Sequence, residues 1–289
     1  MTDRLSDTEN WVRMTTVDRR AAILGSVAAS AYALAAQPVT AAVITPADGL
    51  DAGMTTFAAS AGFTMNAYRA RPLGKRNAPV ILVVQEVFGL HEWVRDVTRR
   101  FAKAGYYAIA PDLFARAGDA TKVADIKTLR ETIVGPTPDA QVMADLDALM
   151  AFAGRDGGNA RRAGITGFCW GGRITWLYAA HNPAIRSGVA WYGRLTGAPT
   201  PLQPSNPIDM VGELRAPVLG LYGAKDRGIP VADVERMRAA LAAAKKPSSI
   251  TLYPNADHGF LADYRPSFEP ASATDAWTQA TGWFARTLR

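Results

Sequence analysis

The sequence is poor in the residues that build metal centres and disulfide frameworks. Its 289 residues include one cysteine, Cys169, and three histidines, which excludes an intramolecular disulfide and leaves little material for a zinc site. Only 20% of the residues are charged, and the net charge of +6 is not concentrated in a long basic run. Nucleic acid is therefore not a predicted partner. Hydrophobic residues make up 48% of the chain, enough for a sizeable core. Because cysteine and histidine are scarce, any catalysis is predicted to use organic side chains with no metal or organic cofactor.

The first 41 residues differ in composition from the rest. Within these 41 residues, the charged ones all lie in the first twenty positions. Arg19-Arg20 is followed by an alanine-rich apolar stretch that is too short to span a membrane. Pro38 and the small residues up to Ala41 then offer a cleavage point. Residues 1–41 thus resemble a twin-arginine export signal, which predicts an exported or periplasmic protein. The alternative is an alanine-rich helix retained on a cytoplasmic protein; stable membrane insertion is expected in neither case.

Residues 42–289 are predicted to form one domain in which strands and helices alternate. Apolar runs rich in β-branched residues predict strands buried under helices, at residues 79–87, 106–113, 163–168, 188–192, 217–222 and 249–253. Amphipathic stretches predict helices at residues 91–104, 139–153, 172–181, 231–244 and 271–288. This alternation predicts an α/β fold with a mostly parallel central sheet of about eight strands, covered by helices on both faces. The stretch from Gly193 to Gly212 is interpreted as an excursion over one face.

Cys169 lies where a predicted strand turns into a predicted helix. The segment Gly167-Phe168-Cys169-Trp170-Gly171 has the form G-x-C-x-G, in which small residues on either side let strand and helix pass closely beside a nucleophile. The helix N-terminus would also favour the thiolate over the thiol. The alternative interpretation is a small buried cysteine that has no chemistry.

Two later turns complete the order nucleophile, acid, histidine. One predicted strand runs into Asp226 and the next runs into His258, and in this class of fold the order brings the three groups to the carboxyl ends of the strands. His258 is then predicted to accept the thiol proton while Asp226 orients its ring. Asp257 is a rival for the acid. His91 and His181, at the two ends of predicted helices, are interpreted as surface or capping residues.

With these motifs, residues 63–288 resemble the dienelactone hydrolases, also called carboxymethylenebutenolidases, which have the three-layer α/β-hydrolase fold. The resemblance rests on residues 85–90, 111–116, 167–172, 223–226 and 257–260. It implies a triad with Glu86 beside the thiol, where the matching glutamate of the family swings between partners and helps the cysteine to ionise. It also implies an oxyanion hole formed by the backbone N–H groups of Val87 and Trp170. The implied triad consists of Cys169, His258 and Asp226.

The family's substrates are small lactones that carry a carboxylate and are held by arginines. Arg116 matches one family arginine, whereas the second falls on Ala262, and Gly259 stands where a serine is expected. Arg265 is a candidate substitute for the second arginine. Two aromatic residues near the same rim are predicted to line an apolar pocket, with ordinary core packing as the alternative. The predicted substrate-binding residues are Arg116, Arg265, Trp191 and Tyr192.

The predicted function is hydrolysis of a small lactone of the 4-carboxymethylenebut-2-en-4-olide type through an acyl-enzyme on Cys169. The basic net charge favours an anionic substrate. One alternative is a broader carboxylesterase, or a hydrolase of another lactone, with the same machinery. The other is a thiol-based ligand or redox sensor, which would be acylated once and would not turn over.

Overall fold

The computed structural model describes residues 44–289, which fold around one eight-stranded sheet. The predicted export signal, residues 1–41, lies outside the described residues. The strands are β1 (Leu50–Ala58), β2 (Thr64–Pro72), β3 (Ala78–Val84), β4 (Tyr107–Pro111), β5 (Gly158–Phe168), β6 (Ile185–Trp191), β7 (Val218–Gly223) and β8 (Ser249–Tyr253). Their order across the sheet is β1-β2-β4-β3-β5-β6-β7-β8. β2 is antiparallel to β1 and to β4, and every other neighbouring pair is parallel.

Helices cover both faces of this sheet. They are α1 (Glu92–Lys103), α2 (Ile126–Leu129), α3 (Asp139–Arg155), α4 (Trp170–His181), α5 (Val231–Ala243) and α6 (Pro270–Thr287). Within β5, Gly164 faces Phe284 of α6, whereas Gly167 faces Gly171 of α4. Because the two glycines are three positions apart on one strand, they point to opposite faces. The predicted three-layer α/β fold is confirmed. No helix within residues 44–289 is both long and apolar enough to cross a membrane.

All six predicted strands and all five predicted helices are present, with ends that differ by up to five residues. The sequence prediction omits the antiparallel hairpin of β1 and β2, because these strands lie at the edge of the sheet and mix exposed polar residues with small ones. It also extends β3 too far. β3 ends at Val84, so the next three residues leave the hydrogen-bonded ladder and become available to the site described below.

A buried ion pair anchors the helix that follows Cys169. Both guanidinium NH groups of Arg173 in α4 donate to the carboxylate of Asp139 at the start of α3, each at 2.7 Å. Arg173 also donates to the carbonyl of Ser205 at 2.7 Å, and the backbone N–H of Asp139 donates to the carbonyl of Leu202 at 2.9 Å. The Arg173–Asp139 pair therefore links the excursion of residues 193–212 to both helices.

Replacing Arg173 by methionine is expected to lower the free energy of unfolding by about 3–5 kcal/mol, because the Asp139 carboxylate would remain buried without its cation. The matched control is Arg236→Met, whose ion pair with Asp233 involves an arginine side chain that is 64% exposed. That change should cost less than about 1 kcal/mol. Urea denaturation measures both, and losses of equal size would contradict the anchoring role.

Candidate active site

Four polar segments meet at the carboxyl edge of the sheet. Glu86 follows β3, Cys169 follows β5, Asp226 follows β7 and His258 follows β8. Because these four strands are parallel, their carboxyl ends lie along one edge, where open α/β sheets bind ligands. Within residues 44–289, no three His, Cys, Asp or Glu side chains are grouped so that they could hold a metal ion.

Cys169 occupies a strained backbone position at the turn from β5 into α4. Its φ of 55° and ψ of −114° lie outside the regions that non-glycine residues favour. Its backbone N–H donates to the Trp191 carbonyl at 3.0 Å, and the residue is 7% exposed. A Cβ at Gly167 would overlap the Gly171 carbonyl, and a Cβ at Gly171 would lie 2.5 Å from the Gln85 carbonyl oxygen. Glycine at both positions is what allows this turn to form.

His258 is oriented by Asp226. The Nδ1 atom of His258 lies 2.7 Å from Asp226 Oδ2, while Asp226 Oδ1 accepts hydrogen bonds from the backbone N–H groups of Gly228 at 2.8 Å and Ile229 at 3.2 Å. The carboxylate is therefore fixed on both oxygens. Asp257, the rival acid, instead accepts the backbone N–H of His258 at 2.6 Å. With Nδ1 directed at Asp226, Nε2 is the ring nitrogen that would exchange a proton with a nucleophile.

Glu86 is a fully buried carboxylate with three partners. Oε1 accepts from the Arg265 guanidinium at 2.8 Å, Oε2 accepts from the Tyr264 hydroxyl at 2.6 Å, and His91 Nε2 lies 3.6 Å from Oε2. Burial by itself raises the pKa of Glu86. The Arg265 charge and the contacts with His91 and Tyr264 outweigh that effect and lower the pKa to about 2. Glu86 is therefore ionised at neutral pH.

Arg265 is buried beside Glu86, which accepts a hydrogen bond from its guanidinium. Burial disfavours the charged guanidinium, but the negative charge of Glu86 more than compensates and raises its pKa. The arginine chain passes over Gly259, which has a φ of 76°, and a Cβ at Gly259 would lie 2.9 Å from Arg265 Cδ. Glycine at position 259 thus leaves room for Arg265. Ala262, where the second family arginine is expected, is fully buried.

The other predicted substrate-binding residues have different surroundings. Arg116 donates to both carboxylate oxygens of Asp145, and its NH2 donates to the Ser60 carbonyl at 2.7 Å. Trp191 is fully buried, as in the core-packing alternative, and its Nε1 donates to Thr166 at 3.1 Å. Their roles in substrate binding stay predictions, and both side chains already have structural partners.

Tyr192 lies against the proposed base. Its ring meets the His258 ring edge to face, with centroids 5.2 Å apart, and its backbone has a φ of 37°. The side chain is fully buried, and its hydroxyl has no hydrogen-bond partner within residues 44–289. Burial, followed by the negative charge of Glu86, raises its pKa well above the usual value. Tyr192 therefore brings a neutral hydroxyl to the site.

The two backbone N–H groups predicted to form an oxyanion hole belong to residues at the ends of α4 and β3. Trp170 is the first residue of α4, so its N–H has no acceptor within the helix. Val87 follows Glu86 beyond the end of β3, and Gln85, two residues before it, contacts the α4 turn through the close approach of its carbonyl to Gly171. Their role as an oxyanion hole stays a prediction.

The sequence reasoning missed two residues of the site, Tyr264 and His91. The interpretation of His91 as a surface or capping residue is wrong: it is 8% exposed and makes no side-chain cap hydrogen bond. Its position five residues after Glu86, in the same loop, was the available signal. Tyr264 precedes Arg265 in the sequence, but no local sequence pattern indicates that Tyr264 belongs to the site. His181 ends α4, is 42% exposed and pairs with Asp147 at 2.9 Å, as predicted for a surface residue.

A model of the dienelactone hydrolase family matches residues 65–288. The chain belongs to this family. Membership makes the protein an enzyme that hydrolyses ester bonds, and the eight-stranded sheet has the α/β-hydrolase architecture of the family.

Relatives cover nearly the whole chain. A protein from Methylorubrum extorquens, provisionally named a carboxymethylenebutenolidase, is 51% identical over 282 residues, which are 96% of either chain. A protein of the same provisional name from Escherichia coli K12 is 51% identical over 257 residues, 88% of this chain and 94% of that protein. A crystal structure of a provisionally named dienelactone hydrolase from Klebsiella pneumoniae is 52% identical, with a TM-score of 0.81, and the match covers 82% of this chain and 99% of that chain.

The low pKa of Glu86 predicts a specific dependence of stability on pH. The folded protein binds fewer protons at Glu86 than the unfolded chain, whose glutamate titrates near its usual pKa of 4.5. The stabilisation is therefore complete above that pH and is lost as the pH falls towards 2. Glu86→Gln should be less stable than wild type by a few kcal/mol at pH 6, and the difference should narrow by pH 3.

Urea denaturation at the two pH values measures this difference. Glu131→Gln is the matched control, because the Glu131 side chain is 64% exposed and lies 4.0 Å from Lys127. It should follow wild type at both pH values. A difference for Glu86→Gln that stays constant from pH 6 to pH 3 would contradict the assignment of a depressed pKa.

Proposed function

We propose that the protein hydrolyses small lactones of the dienelactone type by nucleophilic attack from Cys169. The observation that carries the proposal is the strained turn that presents the thiol at the sheet edge where His258 is held 2.7 Å from Asp226. A purely structural cysteine would need neither the strained backbone nor an oriented histidine nearby. Strain of this kind is retained where the chemistry requires it.

The reaction proceeds in two steps. In the first, neutral His258 accepts the Cys169 thiol proton, the thiolate attacks the carbonyl carbon, the ring C–O bond breaks, and His258 returns that proton to the oxygen that leaves. In the second, His258 removes a proton from water, the resulting hydroxide attacks the thioester carbon, and the C–S bond breaks to release the acid and the thiolate. Asp226 keeps the imidazole in one orientation and stabilises its charged form. Because the base must be neutral, hydrolysis should fall at acid pH.

The oxyanion of each tetrahedral intermediate is assigned to the backbone N–H groups of Val87 and Trp170. The helix N-terminus at Trp170 adds a favourable partial positive charge. Donors of this kind, which are already oriented in the resting enzyme, each contribute on the order of a few kcal/mol at the transition state.

Arg265 and Glu86 link substrate charge to thiol chemistry. Arg265 is a buried cation that is already paired with Glu86. A substrate carboxylate that binds Arg265 competes with Glu86 for its positive charge and weakens their pair. Glu86 is then held less firmly and can turn towards the thiol, as the family resemblance implies. In this way the binding of an anionic substrate would help the nucleophile to ionise.

Steady-state hydrolysis of a dienelactone and of p-nitrophenyl acetate tests the nucleophile. Cys169→Ala is expected to lower kcat/KM for the dienelactone by at least about a thousandfold, because the covalent step is lost. Intact-protein mass spectrometry of the wild type with an activated ester should show one acyl group that later disappears. Undiminished hydrolysis by Cys169→Ala would refute the mechanism. An acyl group that forms once and stays would support the sensor alternative instead.

Arg265→Met tests the assignment of an anionic substrate. The dienelactone should lose about tenfold or more in kcat/KM, because a charge-assisted hydrogen bond to its carboxylate is removed. The neutral p-nitrophenyl acetate should lose less, and its loss measures the effect of the Arg265 charge on the thiol alone. The matched control is Arg116→Met, since Arg116 is engaged by Asp145. If Arg116→Met impairs dienelactone hydrolysis selectively and Arg265→Met does not, Arg116 is the residue that holds the substrate.

A further inference from the structure

His91 is a buried histidine that the proposed reaction leaves without a role. Its side chain is 7% exposed, and its Nε2 lies 3.6 Å from Glu86 Oε2, just beyond hydrogen-bond distance. Neither ring nitrogen has a hydrogen-bond partner within residues 44–289. A buried imidazole with both nitrogens unbonded is costly, so its position against a carboxylate calls for an explanation.

Aromatic rings hold the imidazole in this position. The Trp93 ring stacks on it with a centroid distance of 6.3 Å, the Tyr264 ring meets it edge to face at 5.5 Å, and the Phe88 ring does so at 6.4 Å. His91 immediately precedes α1, but its side chain does not cap that helix. The ring is thus packed as part of the site, with its Nε2 towards Glu86.

The charged and titratable groups around His91 come from three segments. Glu86 faces it from the end of β3, and Tyr264 packs against it from the loop before α6, with Arg265 beside Tyr264 and Glu86. On its own helix, the Glu92 carboxylate is engaged by Arg99 at 2.6 Å. Glu86 is therefore the carboxylate that a charge on His91 would meet.

The protonation state of His91 decides the net charge of this cluster. The Tyr264 hydroxyl is neutral, because burial followed by the Glu86 charge raises its pKa well above the usual value. With His91 neutral, the charges of Glu86 and Arg265 cancel. A proton on His91 adds one positive charge and turns Nε2 into a donor towards Glu86 Oε2. Imidazole is the side chain that ordinarily makes this change between pH 5 and 8.

We infer that His91 is a positioning residue that acts on the Cys169 thiol through Glu86. When protonated, it gives Oε2 a second donor beside Tyr264 and draws the carboxylate from Arg265. The Arg265 charge is then less compensated, and because Arg265 is held at the end of β3, which lies against the cysteine turn, it stabilises the thiolate. His91 thus keeps the thiol reactive at acid pH. This inference rests on the proposed function only in taking Cys169 as the reacting thiol.

Alkylation by iodoacetamide, a neutral reagent, provides the readout. Because the chain has one cysteine, the rate reports Cys169 alone, whether or not hydrolysis occurs. His91→Gln keeps an amide donor but cannot titrate. Between pH 5 and 9 the wild-type profile should show an acid-side inflection that His91→Gln lacks. At pH 5.5 the variant should react about fivefold more slowly than wild type, and the two rates should converge above pH 8.

His181→Gln is the matched control, because His181 is 42% exposed and pairs with Asp147 away from Glu86. Its alkylation profile should follow wild type. Identical profiles for wild type and His91→Gln would overturn the inference. If His91→Gln does not fold, His91→Asn is measured in its place with the same expectation.

A double mutant tests the route through Glu86. In the Glu86→Gln background, adding His91→Gln should leave the alkylation profile unchanged, since the group that transmits the effect is already absent. An undiminished His91 effect in that background would overturn the route. If the wild-type protein hydrolyses neither the dienelactone nor p-nitrophenyl acetate while these alkylation differences persist, the proposed hydrolytic function fails and the inference about His91 stands.

Discussion

The close approach of β5 and α4 is the constraint on which the site depends. The turn at Cys169 leaves no space for a side chain at Gly167 or Gly171, because each position is filled by the backbone of a neighbouring segment. The same contact brings the end of β3 against the turn, so that Glu86 and Val87 directly follow a segment that touches it. Replacing either glycine would separate strand from helix and disperse the site. The backbone, rather than any one catalytic side chain, thus determines where the chemistry can occur.

The second constraint is the buried charge of Glu86. A carboxylate that is fully buried must be compensated, and here the compensation comes from Arg265 and Tyr264 in a distant loop. Because the Arg265 side chain passes over Gly259, a larger side chain at position 259 would collide with it. The glycine at position 259, a departure from the family pattern, is therefore part of the arrangement that places Arg265 beside Glu86.

These two constraints separate the reacting groups of the site from its charged cluster. Cys169 and Trp170 lie at the junction of β5 and α4, and the His258 ring is oriented by Asp226, which suits groups that must be aligned within fractions of an ångström. The charged cluster of Glu86, Arg265 and its neighbours is held by hydrogen bonds and aromatic packing. A few of these contacts can be exchanged for contacts with a substrate, so charge can be redistributed without disturbing the alignment of the reacting groups.

The sequence by itself determined the alternation of strands and helices, the cysteine turn and the order in which nucleophile, acid and histidine occur. These features depend on local spacing, which periodicity and small residues reveal. The β1–β2 hairpin escaped prediction because edge strands have a weak apolar pattern. Only the tertiary structure decided that Asp226 rather than Asp257 faces His258, that Arg116 is engaged by Asp145, and that His91 is buried against Glu86. Each of these depends on which loops meet across the sheet, and that is set by long-range packing that no local pattern records.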